Sequence, residues 1–85
     1  MALDDPLAPL PEIALGTYAH YKGARYEVLG VVRHSETREP LVLYRPLYGD
    51  HGLWVRPFAM FTESLMVDGL LRPRFAFEHG GTAID

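Results

Sequence analysis

The stretch RYEVLGVVR, residues 25–33, decides the fold class of this chain. Its alternate positions form two sets, and both sets are largely apolar: Tyr26, Val28, Gly30 and Val32 on one face, Glu27, Leu29, Val31 and Arg33 on the other. A strand that is apolar on both faces is typical of a curled or closed sheet rather than of a sheet with one wet face. Gly30 has no side chain in mid-strand, which predicts a bend or a β-bulge at that residue.

The sequence on either side of this stretch predicts further short strands. Residues 34–40 (HSETREP) indicate a polar hairpin loop, and the returning strand contains Pro46, which cannot donate to a ladder and interrupts the pairing. Asp68-Gly69 is a two-residue hairpin signal, and Pro73 marks the strand after it as an edge. The predicted strands cover residues 17–21, 25–33, 41–48, 53–56, 62–67 and 70–77, with a tight turn at 49–52 and a helical turn at 57–61.

This pattern predicts a mostly β fold, a small SH3-like β-barrel of five to six short strands with one brief helical turn. A twisted sheet packed on a partner chain is the alternative architecture. Residues 1–15 contain three prolines and no helical or strand period, which predicts a flexible proline-rich arm. The single β-barrel domain is predicted over residues 16–77, and a flexible tail over residues 78–85.

Length and composition limit what the chain can be. A domain of 85 residues has a small core, so formation of a homodimer is one way to gain stability. The chain has no cysteine, which excludes disulfides, thiolate zinc sites, iron–sulfur clusters and cysteine nucleophiles. No segment approaches the roughly 20 apolar residues of a membrane span, and the acidic, proline-broken start is unlike a secretory signal. We therefore expect a cytoplasmic domain, and no motif indicates a cofactor or a bound metal ion.

Several short motifs together resemble those of one bacterial family. They are Tyr21-Lys22-Gly23, YEVLG (26–30), His34-Ser35-Glu36-Thr37, LYGD (47–50) and LWVRP (53–57), followed by Met60-Phe61. Over about residues 17–75 the chain resembles the family catalogued as domain of unknown function 1653. The resemblance implies a small bacterial domain without an established activity, and it carries over no catalytic residue, because none is assigned for the family.

Three polar residues are candidates for catalysis or metal binding: His34, Glu36 and His51. On an extended chain His34 and Glu36 point the same way, so they could act as acid and base, or join His51 as metal ligands. No close-spaced ligand motif is present in the sequence. The alternative is turn chemistry, in which the hydroxyls flanking Glu36 bond nearby backbone amides and His51 lies in an ordinary turn.

Aromatic residues and arginines form the predicted ligand-binding surface. Its members are Tyr44, Tyr48, Trp54, Arg45 and Arg56. Beside the loops of a small barrel, aromatics can form a groove for peptides, stacked bases or cationic side chains. In the competing interpretation Trp54, Phe58 and Phe61 fill the core, while Tyr44 and Tyr48 fit either interpretation.

Arg56 has two possible roles at the end of its predicted strand. A fixed arginine can clamp a carboxylate or a phosphate with two parallel hydrogen bonds. The sequence favours a structural role, an ion pair of Arg56 with Glu27 or Glu63.

These features favour a non-catalytic binding module that recognises a protein segment through the aromatic surface, because no recognisable catalytic motif is present. An RNA or single-strand nucleic-acid binder is the first alternative, with arginines on phosphates and aromatics stacked on bases. A net charge of −3 counts against it. The second alternative is a metal-dependent or acid–base enzyme using His34, Glu36 and His51.

Overall fold

Two antiparallel sheets and one short helix make up residues 8–80, which a computed structural model describes. The elements are β1 (Gly16–His20), β2 (Arg25–Arg33), β3 (Pro40–Pro46), β4 (Trp54–Pro57), α1 (Phe58–Phe61), β5 (Ser64–Val67), β6 (Leu70–Pro73) and β7 (Phe75–Gly80). The larger sheet has the strand order β4-β3-β2-β1-β7, and β5 and β6 form a separate hairpin. The predicted mostly β class is confirmed. Within residues 8–80, no hydrogen-bonded pairing joins β4 to β7, so the larger sheet is open.

The β2–β3 hairpin contains the β-bulge predicted at Gly30. Cross-strand partners run from Tyr26 opposite Pro46 to Arg33 opposite Pro40, and the register shifts between Val28 and Gly30. The shift places Val31, rather than Gly30, opposite the buried Val42. The two predicted faces of this strand are therefore correct before the bulge and exchanged after it, since one extra residue reverses the alternation.

The single strand predicted over residues 70–77 is wrong, because the chain changes sheets at Arg74. Pro73 ends β6 and has no N–H to donate. The Arg74 N–H donates to the carbonyl of Glu63 at 3.0 Å, and the Arg74 carbonyl accepts from the N–H of Tyr21 at 3.0 Å. β6 therefore pairs with β5, while β7 pairs with β1.

The predicted hairpin at Asp68-Gly69 is confirmed between β5 and β6. Both residues have positive φ, 52° for Asp68 and 80° for Gly69. Left-handed backbone at both central positions is the geometry that Asp-Gly sequences favour in two-residue hairpins.

The core lies on one face of the larger sheet, beneath α1. Its buried apolar members are Tyr18, Val28, Val42, Tyr44, Phe61 and Phe75. Phe61 is 1% exposed, and Phe58 packs against the cluster, as the core interpretation predicted for both. The same interpretation is wrong for Trp54, which is 62% exposed. Trp54 opens β4, the outermost strand on its side of the described sheet, so no further strand covers its ring.

Residues 8–15 have no regular secondary structure and run along the domain. Ile13 packs against the core, and the Ala14 carbonyl accepts a hydrogen bond from the Tyr18 hydroxyl at 2.6 Å. Arg33 donates to the carbonyl of Ala8 at 2.8 Å. The rest of the predicted arm, residues 1–7, and residues 81–85 of the predicted tail lie outside the described residues. The helix present in residues 8–80 is too short to cross a membrane.

Candidate functional site: an aromatic pocket where β3 ends and β4 begins

A pocket of about 430 Å³ lies at the end of the sheet where β3 ends and β4 begins. Its walls are formed by Tyr26, Tyr44, Pro46, Tyr48, Gly49, Asp50, His51, Gly52 and Trp54. We call this site the aromatic pocket. The loop between the strands curls around it through two left-handed residues, Gly49 with φ 63° and His51 with φ 57°. Its volume lies within the range of about 300–1,000 Å³ typical of small-ligand sites.

Four aromatic side chains form most of the wall. The rings of Tyr26 and Tyr44 are 5.5 Å apart and inclined at 76°, and those of Tyr26 and Tyr48 are 5.9 Å apart at 73°. Tyr44 lies directly opposite Trp54 in the β3–β4 ladder. Rings that meet near right angles form adjacent walls rather than a flat stack, so the pocket can contact a bound group from several sides.

The pocket combines fixed and accessible side chains. Tyr44 is buried and belongs to the core, whereas Tyr48 is 53% exposed and Trp54 is 62% exposed. The structure thus brings together three of the predicted ligand-binding residues, Tyr44, Tyr48 and Trp54. A buried ring at the base and accessible rings at the rim allow binding without unfolding of the core.

A hydroxyl pair links two of the walls. The hydroxyl oxygens of Tyr26 and Tyr48 are 3.1 Å apart, at hydrogen-bond distance. The pKa of Tyr26 is raised to about 12, mainly by this hydrogen bond and further by burial of the hydroxyl. Because this pKa lies far above neutral, Tyr26 is protonated at neutral pH and the hydroxyl pair is intact there.

We expect Tyr48→Phe to return the pKa of Tyr26 towards its ordinary value of 10, because the ring stays and the hydroxyl partner is lost. In the wild type, the raised folded-state pKa means that stability from this pair is complete below pH 10 and is lost as the pH rises towards about 12. Tyrosinate absorbance against pH measures the shift. Tyr21→Phe also removes one tyrosine and is the matched control. Identical alkaline titrations of the two variants would contradict the assignment.

The two arginines predicted for the surface do not line the pocket. Arg45 points to the opposite face of the sheet, where it pairs with Glu27 at 2.7 Å. Arg56 shares the inner face with Trp54, and its guanidinium carbon lies 5.4 Å from the centre of the Phe75 ring. Its Nε is buried and has no hydrogen-bond partner within residues 8–80.

The ion pair predicted for Arg56 is wrong, because both acidic candidates have other partners. Glu27 pairs with Arg45, and Glu63 pairs with Arg74. Arg56 instead contributes its charge to the neighbourhood of His20, whose pKa is lowered by burial first and then by Arg56, Arg74 and Lys22.

The structure does not bring the candidate catalytic residues together. Nδ1 of His34 accepts hydrogen bonds from the backbone N–H groups of Glu36 at 3.0 Å and Thr37 at 3.2 Å. His34 is therefore the residue that closes the β2–β3 turn. His51 lies at the other end of β3, which at about 3.3 Å per residue is roughly 20 Å away. Across residues 8–80, no three His, Asp or Glu side chains come close enough to share a metal ion.

Sequence reasoning missed Tyr26 and Pro46 as pocket residues. The sequence predicts Tyr26 only on a strand face, and Pro46 only as a break in pairing. The sequence does contain a signal for both residues. Counting cross-strand pairs from the hairpin loop outward places the start of β2, which contains Tyr26, beside the end of β3, which contains Pro46. The bulge moves the partner of Tyr26 by one residue, onto Pro46.

Comparison with known proteins identifies the family. Residues 16–77 match the family described as "Protein of unknown function (DUF1653)". Among solved structures, the crystal structure of a DUF1653 protein from Bordetella bronchiseptica superposes on this chain with a TM-score of 0.74 and 32% sequence identity. That match covers 91% of this chain and 100% of the other. A search of curated proteins found no match. The chain belongs to the DUF1653 family, as its motifs between Tyr21 and Phe61 predicted.

Proposed function

We propose that this domain is a non-catalytic binding module that recognises an extended segment of a partner protein through the aromatic pocket. The observation that carries the proposal is the exposure of Trp54 and Tyr48 on the rim of a pocket whose base is the buried Tyr44. Tyrosine and tryptophan in such positions supply much of the binding energy in protein interfaces. A small domain with a limited core leaves large rings in water at a cost, which a bound partner offsets.

The strand edge beside the pocket favours an extended occupant. In the described sheet β4 is an edge strand, so part of its backbone N–H and C=O groups faces away from β3. Leu53 and Val55 are exposed on either side of Trp54. An added strand would satisfy the open backbone groups, cover these apolar side chains and direct alternate side chains towards the pocket.

The nucleic-acid alternative has less support from the arginines. Each of three arginines is held by a carboxylate, in the pairs Arg25–Glu78, Arg45–Glu27 and Arg74–Glu63. A paired guanidinium contributes little to phosphate binding, since its charge is already compensated. The enzyme alternative has less support because His34 is engaged with backbone amides at one end of β3 and His51 lies at the other.

We also propose that the larger sheet is an open form of the SH3-like barrel. Strands β1 to β4 form an antiparallel meander, and β7 returns beside β1 after α1 and the β5–β6 hairpin. This order is that of a small barrel whose last strand returns to the first. An open edge predicts that the outward amides of β4 exchange at the rate of free amides in the unbound protein. Backbone contacts between β4 and β7 in NMR spectra would contradict the open form.

The binding proposal is tested with the full chain in two steps. Proteins retained from a nuclease-treated bacterial lysate are identified, and overlapping synthetic peptides from them are titrated while the fluorescence of Trp54, the single tryptophan, is recorded. We expect a linear peptide that binds the wild type, binds Trp54→Phe less tightly and fails to bind Tyr48→Ala. Because Trp54→Phe has no tryptophan, its binding is measured by isothermal titration calorimetry. Leu71→Ala, which changes an exposed side chain on the β5–β6 hairpin, is the control and should bind normally.

Two outcomes would contradict the module. Peptide binding that is unaffected by both Tyr48→Ala and Trp54→Phe would remove the aromatic pocket from the interaction. Loss of every retained protein after nuclease treatment would instead favour nucleic acid as the partner, and that binding should weaken steeply with salt.

A further inference from the structure

We propose that the aromatic pocket binds an alkylammonium group, so that the recognised segment presents a lysine side chain, either free or methylated. This inference rests on the proposed function and adds the chemistry of the residue that enters the pocket. It is carried by the juxtaposition of four aromatic rings with one carboxylate in a single cavity.

The first support is the composition of the walls. Tyr26, Tyr44, Tyr48 and Trp54 all line the same cavity of about 430 Å³. The face of an aromatic ring carries partial negative charge, and several rings around one site attract a cation that has lost part of its hydration. Quaternary ammonium groups suit such a site best, because they cannot form the hydrogen bonds that a simple ammonium gives up on leaving water.

The second support is the charge of the lining. In the described part of the chain, Asp50 is the one acidic residue that lines the pocket, and no lysine or arginine lines it. The whole chain carries a net charge of −3, which attracts a basic segment at long range. The charge of Arg45, the arginine of β3, is compensated by Glu27 on the opposite face of the sheet.

The charge of Arg56 opposes the proposal, and its removal should change the binding of a cation and of an anion in opposite directions. Arg56 lies two residues beyond Trp54 on the same face, and its guanidinium rests on the Phe75 ring. Its positive charge disfavours a cation in the pocket and would favour an anion. Removal of this charge should therefore strengthen the binding of an alkylammonium group and weaken the binding of a carboxylate.

The test uses three small probes with the 85-residue chain. They are the N-acetyl amides of lysine, of trimethyllysine and of the neutral isostere in which carbon replaces the quaternary nitrogen. Binding is followed by Trp54 fluorescence and by the NMR signal of its indole N–H. We expect trimethyllysine to bind about tenfold or more tightly than the isostere, with lysine between them.

Charge variants accompany the probes. Asp50→Asn should weaken trimethyllysine binding about two- to fivefold, the range for a solvent-exposed charge pair. Asp68→Asn makes the same change in the β5–β6 turn, outside the pocket, and should leave binding unchanged. Arg56→Met keeps the apolar stem over Phe75 and should tighten binding.

The outcomes separate this inference from the proposed function. Equal binding of trimethyllysine and its neutral isostere would overturn the alkylammonium inference and leave a purely apolar pocket, with the module intact. Acetate is titrated beside the three probes as an anionic control, and acetate binding that is weakened by Arg56→Met would overturn the inference in favour of an anion. If none of the three probes binds at tens of millimolar, the inference is overturned as well, and the peptide titrations alone decide the module.

Discussion

Phe61→Ala is expected to lower the free energy of unfolding by about 3–5 kcal/mol, the usual cost of truncating a fully buried phenylalanine. Phe61 is 1% exposed, and its ring stacks on Phe75 at 4.1 Å, with Tyr18 at 5.4 Å and Tyr44 at 5.8 Å. The substitution leaves a cavity between α1 and the larger sheet. A domain of this size rarely has more than about 3–5 kcal/mol of stability, so the variant should be largely unfolded.

Urea denaturation followed by far-ultraviolet circular dichroism measures this loss. Phe61→Leu keeps most of the buried volume and should be less destabilised than Phe61→Ala. Leu71→Ala removes a side chain that is 70% exposed and should change stability by less than about 0.5 kcal/mol. A Phe61→Ala protein within about 1 kcal/mol of the wild type would contradict the role of α1 as the cover of the core.

Trp54→Ala is expected to weaken binding of the recognised peptide by about 30-fold or more, equivalent to a loss of about 2 kcal/mol. The ring lines the aromatic pocket on the side of the free β4 edge, so its removal takes away both pocket wall and contact area. Because the side chain is 62% exposed, its loss should change folding stability little. The variant therefore separates binding from folding, unlike Phe61→Ala.

Isothermal titration calorimetry measures this effect, since the variant has no tryptophan to report by fluorescence. Leu70→Ala, an exposed apolar residue on the β5–β6 hairpin, serves as the control for general loss of apolar surface. Binding by Trp54→Ala within about twofold of the wild type would place the contact outside the aromatic pocket. Equal losses in both variants would indicate non-specific apolar association.

Strands were predictable where alternation and turn chemistry are strong. The segment 25–33, its bulge at Gly30 and the Asp68-Gly69 turn follow from local rules, and all three are present. The division of residues 70–77 was not predictable in the same way. It depends on which distant strand each half pairs with, and the hydrogen bonds of Arg74 to Glu63 and Tyr21 connect parts of the chain that no local pattern links.

The candidate site was partly predictable for the same reason. Residue type alone indicated that Tyr44, Tyr48 and Trp54 were candidates for one surface, and they line one pocket. Their exposure was not predictable, because a tryptophan in a small domain is equally suited to the core and to a binding site. The surroundings of Arg56 could not be inferred from the sequence either. Several arginines could have paired with Glu27 and Glu63, and the structure pairs these acids with Arg45 and Arg74.

The pairing of β7 with β1 also constrains how the chain folds. The ladder sets Gly16 opposite Gly80, so the two strands that it joins are separated by most of the sequence. The β2–β3 hairpin can form from nearby residues, whereas the β1–β7 ladder must wait until a long loop has closed. Phe75, which stacks on Phe61, arrives with this last strand. During synthesis the earlier strands therefore have no complete core to pack against, and they depend on rapid closure by β7 to avoid association with other unfinished chains.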